Sequence, residues 1–360
     1  MSNFGTRVTA LTQNWLLPKV VDNTLNGNIL SLRLIGNAKQ GKGSTIDRAI
    51  KYQNSGTATS FFGLDTFTAI PLDTKITLSF DMRGVRIPLA VSGMEAVANA
   101  VSQTQVTDLV KNTVEESETE LLDAVGDMVY STGTGNGNKD FIGMNAIADD
   151  GTDVSTFGGA SRTTYPVLQA TRTASGGTVS LTKLATLFSS VSSGSSTSTT
   201  TMITSNETVW DYYESLLTPT VRENYSMMGT LQMGMTGGPT RDQQGLKGTA
   251  GFVAVTYKGI GWVRDEKATA QTIYFLNENR LDYYGWDAKG MFGYNGIKQS
   301  SGTFEGLYSE QPMSNYSGFN WSGFRAPTDQ FAGLADIIIL GNFLSWEPRR
   351  QGRLTGVTGV

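Results

Sequence analysis

The sequence of 360 residues contains neither cysteine nor histidine, and these two absences exclude many kinds of chemistry. Without cysteine there is no disulfide bond, thiol nucleophile or thiolate zinc site. Without histidine there is no imidazole base and no imidazole metal ligand. Lys, Asp, Glu, Ser and Tyr remain available, but no pattern of them forms a catalytic constellation. We therefore predict no enzymatic activity, no cofactor and no metal site.

The sequence also has no long hydrophobic run and no layout typical of a signal peptide. The best apolar stretch, 334–344, is interrupted by Asp336, Gly341 and Asn342, so we expect no membrane segment. The protein is expected either to be made and used in a cytoplasm or to leave it by cell lysis. The net charge is −4 and the pI is near 5.1, so contact with nucleic acid would depend on local basic patches.

One long amphipathic helix, called the spine helix below, is predicted over 102–131. Ser102 and Gln105 form a capping box at its start, and the glycine-rich run 131–138 ends it. About 29 residues at ~1.5 Å each would make a rod of roughly 45 Å. Its apolar positions are mostly three and four apart: Val106, Leu109, Val110, Val114, Leu121, Leu122, Val125, Met128 and Val129.

The polar face of the spine helix is acidic, with no Lys or Arg between Lys111 and Lys139. Its carboxylates either face solvent or meet a basic surface of the same chain or of a neighbour. Packing of this helix against neighbouring copies of the chain would favour the second interpretation. Glu115, Glu116 and Glu118 are therefore predicted contact residues. The full stripe is Glu115, Glu116, Glu118, Glu120, Asp123 and Asp127.

The N-terminal part predicts an arm, a strand and a long hairpin. Residues 1–28 have no clear period and indicate an extended arm, and 28–35 is interpreted as a strand. The alternating runs 44–52 and 75–86 predict the two hairpin strands, with Ile76, Leu78, Phe80 and Met82 on one face. The tip, 53–74, carries phenylalanines that indicate contact with another surface: Phe61, Phe62 and Phe67.

The region after the spine helix predicts a mixed α/β unit. Helices are expected over 180–192, with Leu181, Leu184, Leu187, Phe188 and Val191 buried, and over 207–217, started by Asn206. Strands are expected at 202–205, 252–257 and 272–276. Glycine- and serine-rich loops are expected at 192–201 and 227–251. The tail from Asp336 is strand-like and then basic.

Three patterns suggest binding sites but have simpler explanations. The run 36–43 resembles a phosphate-binding loop, yet Gly43 stands where a Ser or Thr is needed, so a turn is predicted. Asp149, Asp150 and Asp153 could bind calcium but lack a downstream bidentate Glu, which favours a polar turn. The basic end, with Arg349, Arg350 and Arg353, is expected to form salt bridges within or between subunits rather than to bind phosphates.

The order of elements and several local segments resemble the major capsid protein of tailed bacteriophages, which has the Hong Kong 97-type fold. The resemblance covers about residues 28–355, and its motifs are individually weak but fairly specific in this order. The segments are GMEAVANA (93–100), MVYSTGT (128–134), DFIGMNAIADD (140–150), SRTTYP (161–166) and GNFLSWEPRRQG (341–352).

The resemblance implies an α+β capsid fold with five parts. These are an N-terminal arm (1–28), a strand with the E-loop hairpin (29–92), a P-domain with the spine helix (93–140), a mixed α/β A-domain (141–335), and P-domain return strands with the C-terminus (336–360). In the family, A-domains meet at the centres of hexamers and pentamers, while E-loops and arms overlap neighbouring subunits. Some members form an isopeptide bond between an E-loop Lys and a P-domain Asn, helped by a Glu. The candidates in this chain are Lys51 or Lys75, Asn342 and Glu347, but the resemblance favours a shell held together non-covalently, as most shells of this type are.

The resemblance also implies partners. The chain would assemble with itself around double-stranded DNA, which it would contact without sequence specificity. A separate scaffolding protein, a portal and a decoration protein are further expected partners. The protein would then be found in the virion, and in the host cytoplasm during assembly. Two alternatives remain: an encapsulin-like compartment with the same fold, and a cytoplasmic hydrolase that uses Ser and Lys.

Overall fold

The computed structural model describes residues 29–56, 58, 60–66, 72–99, 109–192, 199–217, 254–286, 295–296, 318–322, 324–327 and 330–359. Four predictions lie outside these residues: the N-terminal arm, the capping box of the spine helix, Phe67, and the glycine-rich loop at 227–251. The side chain of Glu115 also lies outside the described part.

The α-helices are α1 (Ile29–Gly36), α2 (Gly93–Asn99), α3 (Leu109–Val129), the single turn α4 (Met144–Ile147), α5 (Leu181–Val191) and α6 (Glu207–Leu216). A further helical turn, Gly135–Asn138, contains left-handed backbone at Asn136 and Gly137. Three short 3₁₀ helices span Pro166–Leu168, Glu278–Arg280 and Pro348–Arg350.

The first strands are β1 (Lys39–Gln40), β2 (Thr45–Lys51), β3 (Lys75–Asp81), β4 (Arg83–Ser92), β5 (Thr156–Phe157), β6 (Ala160–Ser161), β7 (Thr171–Thr173), β8 (Gly177–Thr178) and β9 (Met202–Ser205). They are followed by β10 (Ala254–Tyr257), β11 (Ile260–Arg264), β12 (Thr272–Leu276), β13 (Leu281–Gly285), β14 (Asn295–Gly296), β15 (Phe319–Trp321), β16 (Ala332–Ser345), β17 (Gly352–Thr355) and β18 (Val357–Gly359).

These strands form two six-stranded sheets. Sheet 1 has the order β1-β13-β16-β15-β14, and β4 pairs with β16 beside this path. Sheet 2 has the order β10-β11-β9-β12-β17-β7. Three two-stranded pairs, β2–β3, β5–β6 and β8–β18, complete the fold among the described residues. The fold is α+β, as the sequence predicts.

The chain passes repeatedly between the two sheets. The strand β13, from the predicted A-domain, pairs with β16 in sheet 1. The strand β17, from the predicted C-terminal P-domain segment, pairs with β12 in sheet 2. Sheet 1 contains strands from both sides of residue 140, and both sheets contain strands from both sides of residue 336. The domain boundaries drawn at these two positions therefore stay predictions.

The spine helix α3 packs against sheet 1 to form the larger core. Leu121, Leu122, Val125 and Val129 are buried in one cluster with Ile337 and the other apolar residues of the inner face of β16. Four-residue spacing places Leu121, Val125 and Val129 on one stripe of the helix. The described helix has 21 residues, or about 32 Å of length.

The end of the spine helix agrees with the predicted glycine turn. The helix stops at Val129, and positive φ angles follow at Gly133, Asn136, Gly137 and Asn138. These are conformations that glycine and asparagine adopt most readily. They let the chain reverse, so that Phe141 is buried in the same core as the helix.

The prediction of a strand at 28–35 is wrong, because Ile29–Gly36 is the helix α1. The alternation Leu30-Ser31-Leu32-Arg33-Leu34 also fits a short helix, and a run of this length cannot separate the two periods. Tertiary contacts decide the outcome: the Leu30 N–H donates to the buried Asp265 carboxylate (3.1 Å). This bond satisfies a free donor at the start of the helix.

Sheet 2 carries α5 and α6 and has its own core. Both helices begin as predicted: Ser180 Oγ accepts from the Lys183 N–H, and Asn206 Oδ1 accepts from the Val209 N–H (3.3 Å). Leu181, predicted to be buried, is 52% exposed. Phe188 packs against the core from a half-buried position.

Candidate subunit-contact surfaces

The hairpin β2–β3 is anchored on the subunit at its base. Its inner face carries Leu78 and Phe80, both buried, and the Phe80 ring meets Phe157 at 5.1 Å and Trp346 at 5.4 Å. Met82, predicted to share this face, is exposed. The face ends before it because β3 stops at Asp81, where the chain leaves the hairpin for sheet 1.

The hairpin tip is exposed and apolar. Phe61 is 67% exposed, Phe62 89% and Leu64 fully exposed. The Phe62 N–H donates to the Asp65 carboxylate (2.9 Å), which closes a local turn. An isolated hairpin is marginally stable in water, so an apolar tip of this kind indicates contact with another molecule. Phe61 and Phe62 stay predicted contact residues.

Lys51 and Lys75 lie directly opposite each other on the outer face of the hairpin. Asn342, their predicted cross-linking partner, is fully buried. Its Oδ1 accepts from the Ile142 N–H (3.0 Å), and its Nδ2 donates to the Asp81 carbonyl (2.8 Å). Because the Asn342 amide is used inside the subunit, this structure does not favour the cross-link.

Part of the acidic face of α3 is neutralised within the subunit. Lys267, in the loop between β11 and β12, lies 2.8 Å from Asp123 and 3.0 Å from Asp127. Burial alone would lower the pKa of Lys267, but its hydrogen bonds to the two carboxylates raise it. The partner of this end of the stripe is therefore Lys267. Glu116, Glu118 and Glu120 occupy the preceding turns, and the first two stay predicted contact residues.

The three C-terminal arginines have different environments. Arg349 is exposed, and Arg350 lies 3.7 Å from Glu347. Arg353 is only 3% exposed and bonds to Asp149 inside the subunit (2.8 Å). The predicted intrachain salt bridge is thus present at Arg353, but its guanidinium is not available at the surface. Arg349 and Arg350 remain predicted contact residues.

Asp149 is the centre of a buried ionic network. Its carboxylate accepts from Arg162 (3.0 Å) and Arg353 (2.8 Å). Burial would raise the pKa of Asp149, but the N–H groups of Val154, Gly151 and Asp153, together with Arg162, lower it. Burial lowers the pKa of Arg162 to about 10. The predicted polar turn is confirmed, and arginines supply its cations.

Asp265 is a buried acid that the sequence analysis missed, although the two adjacent acids Asp265 and Glu266 are visible in the sequence. It accepts from the Tyr130 hydroxyl (3.0 Å) and from the Lys267 N–H (3.0 Å), in addition to the Leu30 N–H. It thereby joins the end of the spine helix, the start of α1 and the β11–β12 loop. Burial raises the pKa of Asp265 to about 6.

We expect Asp265 to make the subunit more stable as the pH falls from about 7 to about 4. The folded state binds the proton near pH 6, whereas the unfolded chain binds it near 3.9, so acidification favours the folded state. Two pKa units correspond to at most about 3 kcal/mol. In Asp265→Asn, the unfolding temperature at pH 4.5 minus that at pH 7.5 should be lower than in the parent chain.

The matched control is Glu266→Gln, since Glu266 is the adjacent, more exposed acid and lies 4.0 Å from Arg264. This variant should keep most of the pH dependence of the parent chain, because burial raises the pKa of Asp265 more than the charge of Glu266 does. Equal pH profiles for Asp265→Asn and the parent would contradict the assigned role of Asp265.

A groove of about 440 Å³ crosses the outer face of sheet 1. Pro88, Ala90 and Leu334 supply apolar surface, and Arg325 lies 3.2 Å from Asp336. Arg86 lies 3.7 Å from the same carboxylate. Sequence analysis did not find this groove, because its residues come from β4, β16 and the segment before β16.

Comparison with known proteins finds no matching family profile and no matching curated protein. Solved structures match over nearly the whole chain. A chain of the cyanophage A-1(L) capsid asymmetric unit has 13% identity and a TM-score of 0.70, covering 98% of this chain and 99% of that one. A capsid chain of the native GTA particle has 10% identity and a TM-score of 0.58, covering 99% of both. The chain has the Hong Kong 97-type capsid fold.

The Hong Kong 97-type fold also occurs outside viruses. The SrpI encapsulin of Synechococcus elongatus PCC 7942 has 10% identity and a TM-score of 0.52, covering 98% of this chain and 95% of that one. The fold alone therefore does not determine the function. Among the described residues, no helix is long and apolar enough to cross a membrane.

Proposed function

We propose that this chain is the major capsid protein of a tailed bacteriophage, which assembles with itself into a closed shell. The observation that carries the proposal is the end-to-end match to the cyanophage capsid chain, which covers 98% of one chain and 99% of the other. The shared fold therefore accounts for nearly the whole length of both chains.

The finer proposal is an icosahedral shell of hexamers and pentamers around double-stranded DNA. The exposed apolar side chains of Phe62 and Leu64 at the hairpin tip support it, because neighbouring exposed apolar side chains indicate a contact surface. Arg349 is exposed, and contact with DNA would be non-specific. A separate scaffolding protein, a portal and a decoration protein are further proposed partners, in the virion and in the host cytoplasm during assembly.

The second candidate is an encapsulin-like compartment, favoured by the match to the SrpI encapsulin. Both functions predict large particles, but they differ in the contents. A phage shell made during infection would protect DNA from nuclease, whereas a compartment would enclose a protein cargo.

The test uses two samples. In the first the chain is expressed alone, and in the second the expressed chain is mixed with a lysate of infected cells. Light scattering should detect particles of megadalton mass, and electron micrographs should show closed shells. A chain that stays monomeric under all these conditions would refute the shell function. Nuclease-protected DNA in purified particles would support the capsid, and a co-purifying enzyme without DNA would support the compartment.

A further inference from the structure

A buried carboxylate without a cation lies where α1, the spine helix and sheet 2 meet. Asp265 is only 1% exposed, and among the described residues no Lys or Arg forms an ion pair with it. The nearest basic residues along the chain, Arg264 and Lys267, pair with other carboxylates. A buried carboxylate without a cation is costly in its charged form, so its surroundings favour the uptake of a proton.

Three uncharged donors hold the carboxylate of Asp265. Its Oδ2 accepts from the Leu30 N–H (3.1 Å) and from the Tyr130 hydroxyl (3.0 Å), and its Oδ1 accepts from the Lys267 N–H (3.0 Å). A backbone N–H can only donate, but a hydroxyl can donate and accept. Tyr130 is therefore the one partner of the three that can reverse its hydrogen bond when Asp265 gains a proton.

The Thr204 hydroxyl supplies the acceptor that this reversal requires. Thr204 lies on β9 and is fully buried, and its Oγ1 has no hydrogen-bond partner among the described residues. The Tyr130 hydroxyl lies near it: burial raises the pKa of Tyr130, and Thr204 lowers it, although the pair does not meet the geometry of a hydrogen bond. A buried hydroxyl without a partner is unusual and calls for an explanation.

We propose that Asp265, Tyr130 and Thr204 form a proton-binding site in which the chain of hydroxyl groups reverses when the proton binds. With Asp265 charged, the Tyr130 O–H donates to the carboxylate. With Asp265 neutral, the new carboxyl O–H donates to the Tyr130 oxygen, and the Tyr130 O–H donates to Thr204 Oγ1. The proton comes from solvent, and each hydroxyl group keeps its own hydrogen.

The other charged and titratable groups around the site do not compete for this proton. On the surrounding elements, the basic side chains are paired with acidic ones. These pairs are Arg33 with Glu278, Arg264 with Glu207, and Lys267 with Asp123 and Asp127. The charge of Glu266 raises the pKa of Asp265, in the same direction as burial. Burial raises the pKa of Tyr274 to about 12, so this neighbour on β12 stays neutral.

Proton binding at this site strengthens the joint between the two cores of the subunit. Tyr130 follows the spine helix and belongs to the larger core, whereas Thr204 lies on an inner strand of sheet 2. The reversed chain adds a hydrogen bond between them. We therefore expect this joint to be firmer in mild acid than at neutral pH.

The test measures the proton affinity of Asp265 in the full-length chain. Infrared spectra between pH 4 and pH 8 follow the C=O band of the protonated carboxyl group, which the loss of the band in Asp265→Asn assigns. Thr204→Val keeps the branched shape of the side chain but removes the acceptor. We expect it to weaken proton binding about tenfold, which lowers the pKa of Asp265 by about one unit.

Three further variants are the controls. Thr204→Ser keeps a hydroxyl group and should keep the parent affinity. Thr272→Val removes a different buried hydroxyl of sheet 2, which donates to the Ala270 carbonyl (3.2 Å), and it should leave the affinity unchanged. In Tyr130→Phe, the added Thr204→Val substitution should have no further effect, because the chain is already broken.

The outcomes separate a proton-binding chain from a structural threonine. A purely structural role of Thr204 would lower the unfolding temperature of Thr204→Val equally at pH 4.5 and pH 7.5, with no change in the midpoint of proton binding. That result, or an equal shift of the midpoint in Thr272→Val, would overturn the proposal. The infrared measurement works on free subunits and on particles, so its outcome is independent of the proposed shell function.

Discussion

Leu121→Asp is expected to abolish both the folded subunit and assembly. Leu121 is fully buried, in one cluster with Val125 and Ile337. A carboxylate at this position would lose its hydration without gaining a cation. The cost should exceed about 4 kcal/mol, which is among the largest effects of single substitutions. Since domains are stable by about 5–15 kcal/mol, a loss of this size would remove most of the stability at the lower end of that range.

Two measurements check this prediction. Circular dichroism should show an unfolded or aggregated chain, and electron micrographs should show no shells. Glu118→Gln, three residues away on the acidic face, should fold normally and change only the strength of subunit contacts, by about 1 kcal/mol or less. Normal shells from Leu121→Asp would mean that the buried face of the spine helix is misassigned.

Asp149→Ala is expected to lower the free energy of unfolding by about 3–5 kcal/mol. Asp149 and Arg162 have no exposed side-chain surface, and Arg353 has 3%. Removal of the carboxylate leaves two buried guanidinium groups close together and also removes the acceptor of three backbone N–H groups. Asp149 therefore stabilises the fold in two ways: its carboxylate accepts hydrogen bonds, and it neutralises the charges of Arg162 and Arg353.

Asp150→Ala is the matched control for Asp149→Ala. Asp150 is the adjacent acid, its side chain is 39% exposed, and its carboxylate accepts from the N–H and the hydroxyl of Thr152. Its removal should cost about 1 kcal/mol or less. Denaturant titration of both variants gives the comparison. Equal losses in the two would show that burial of Asp149 has no special role.

The elements that sequence analysis predicted correctly depend on local physics. Alternating residues predict the hairpin strands, and the caps Ser180 and Asn206 set the starts of α5 and α6 within one residue. The stripe of Leu121, Val125 and Val129 predicts the buried face of the spine helix. Each of these signals acts over a few residues, so it can be recognised in one sequence.

The contact surfaces were only partly predictable. The phenylalanines of the hairpin tip and the carboxylates of the spine helix are conspicuous in the sequence. The groove on the outer face of sheet 1 is not, because Arg86 and Asp336 lie far apart along the chain. The pairing of β4 with β16 brings them together, and this pairing has no local signature.

The sequence by itself determined the helical period of the spine helix, the alternation of the hairpin, the turns and the absence of thiol and imidazole chemistry. Only the tertiary structure decided that 29–36 is helical, since its cap, Asp265, is 235 positions away from Leu30. It also decided that Arg353 is buried, because its partner Asp149 is 204 positions away. Backbone preferences are local, but burial and ion pairing depend on which distant segments the topology brings together.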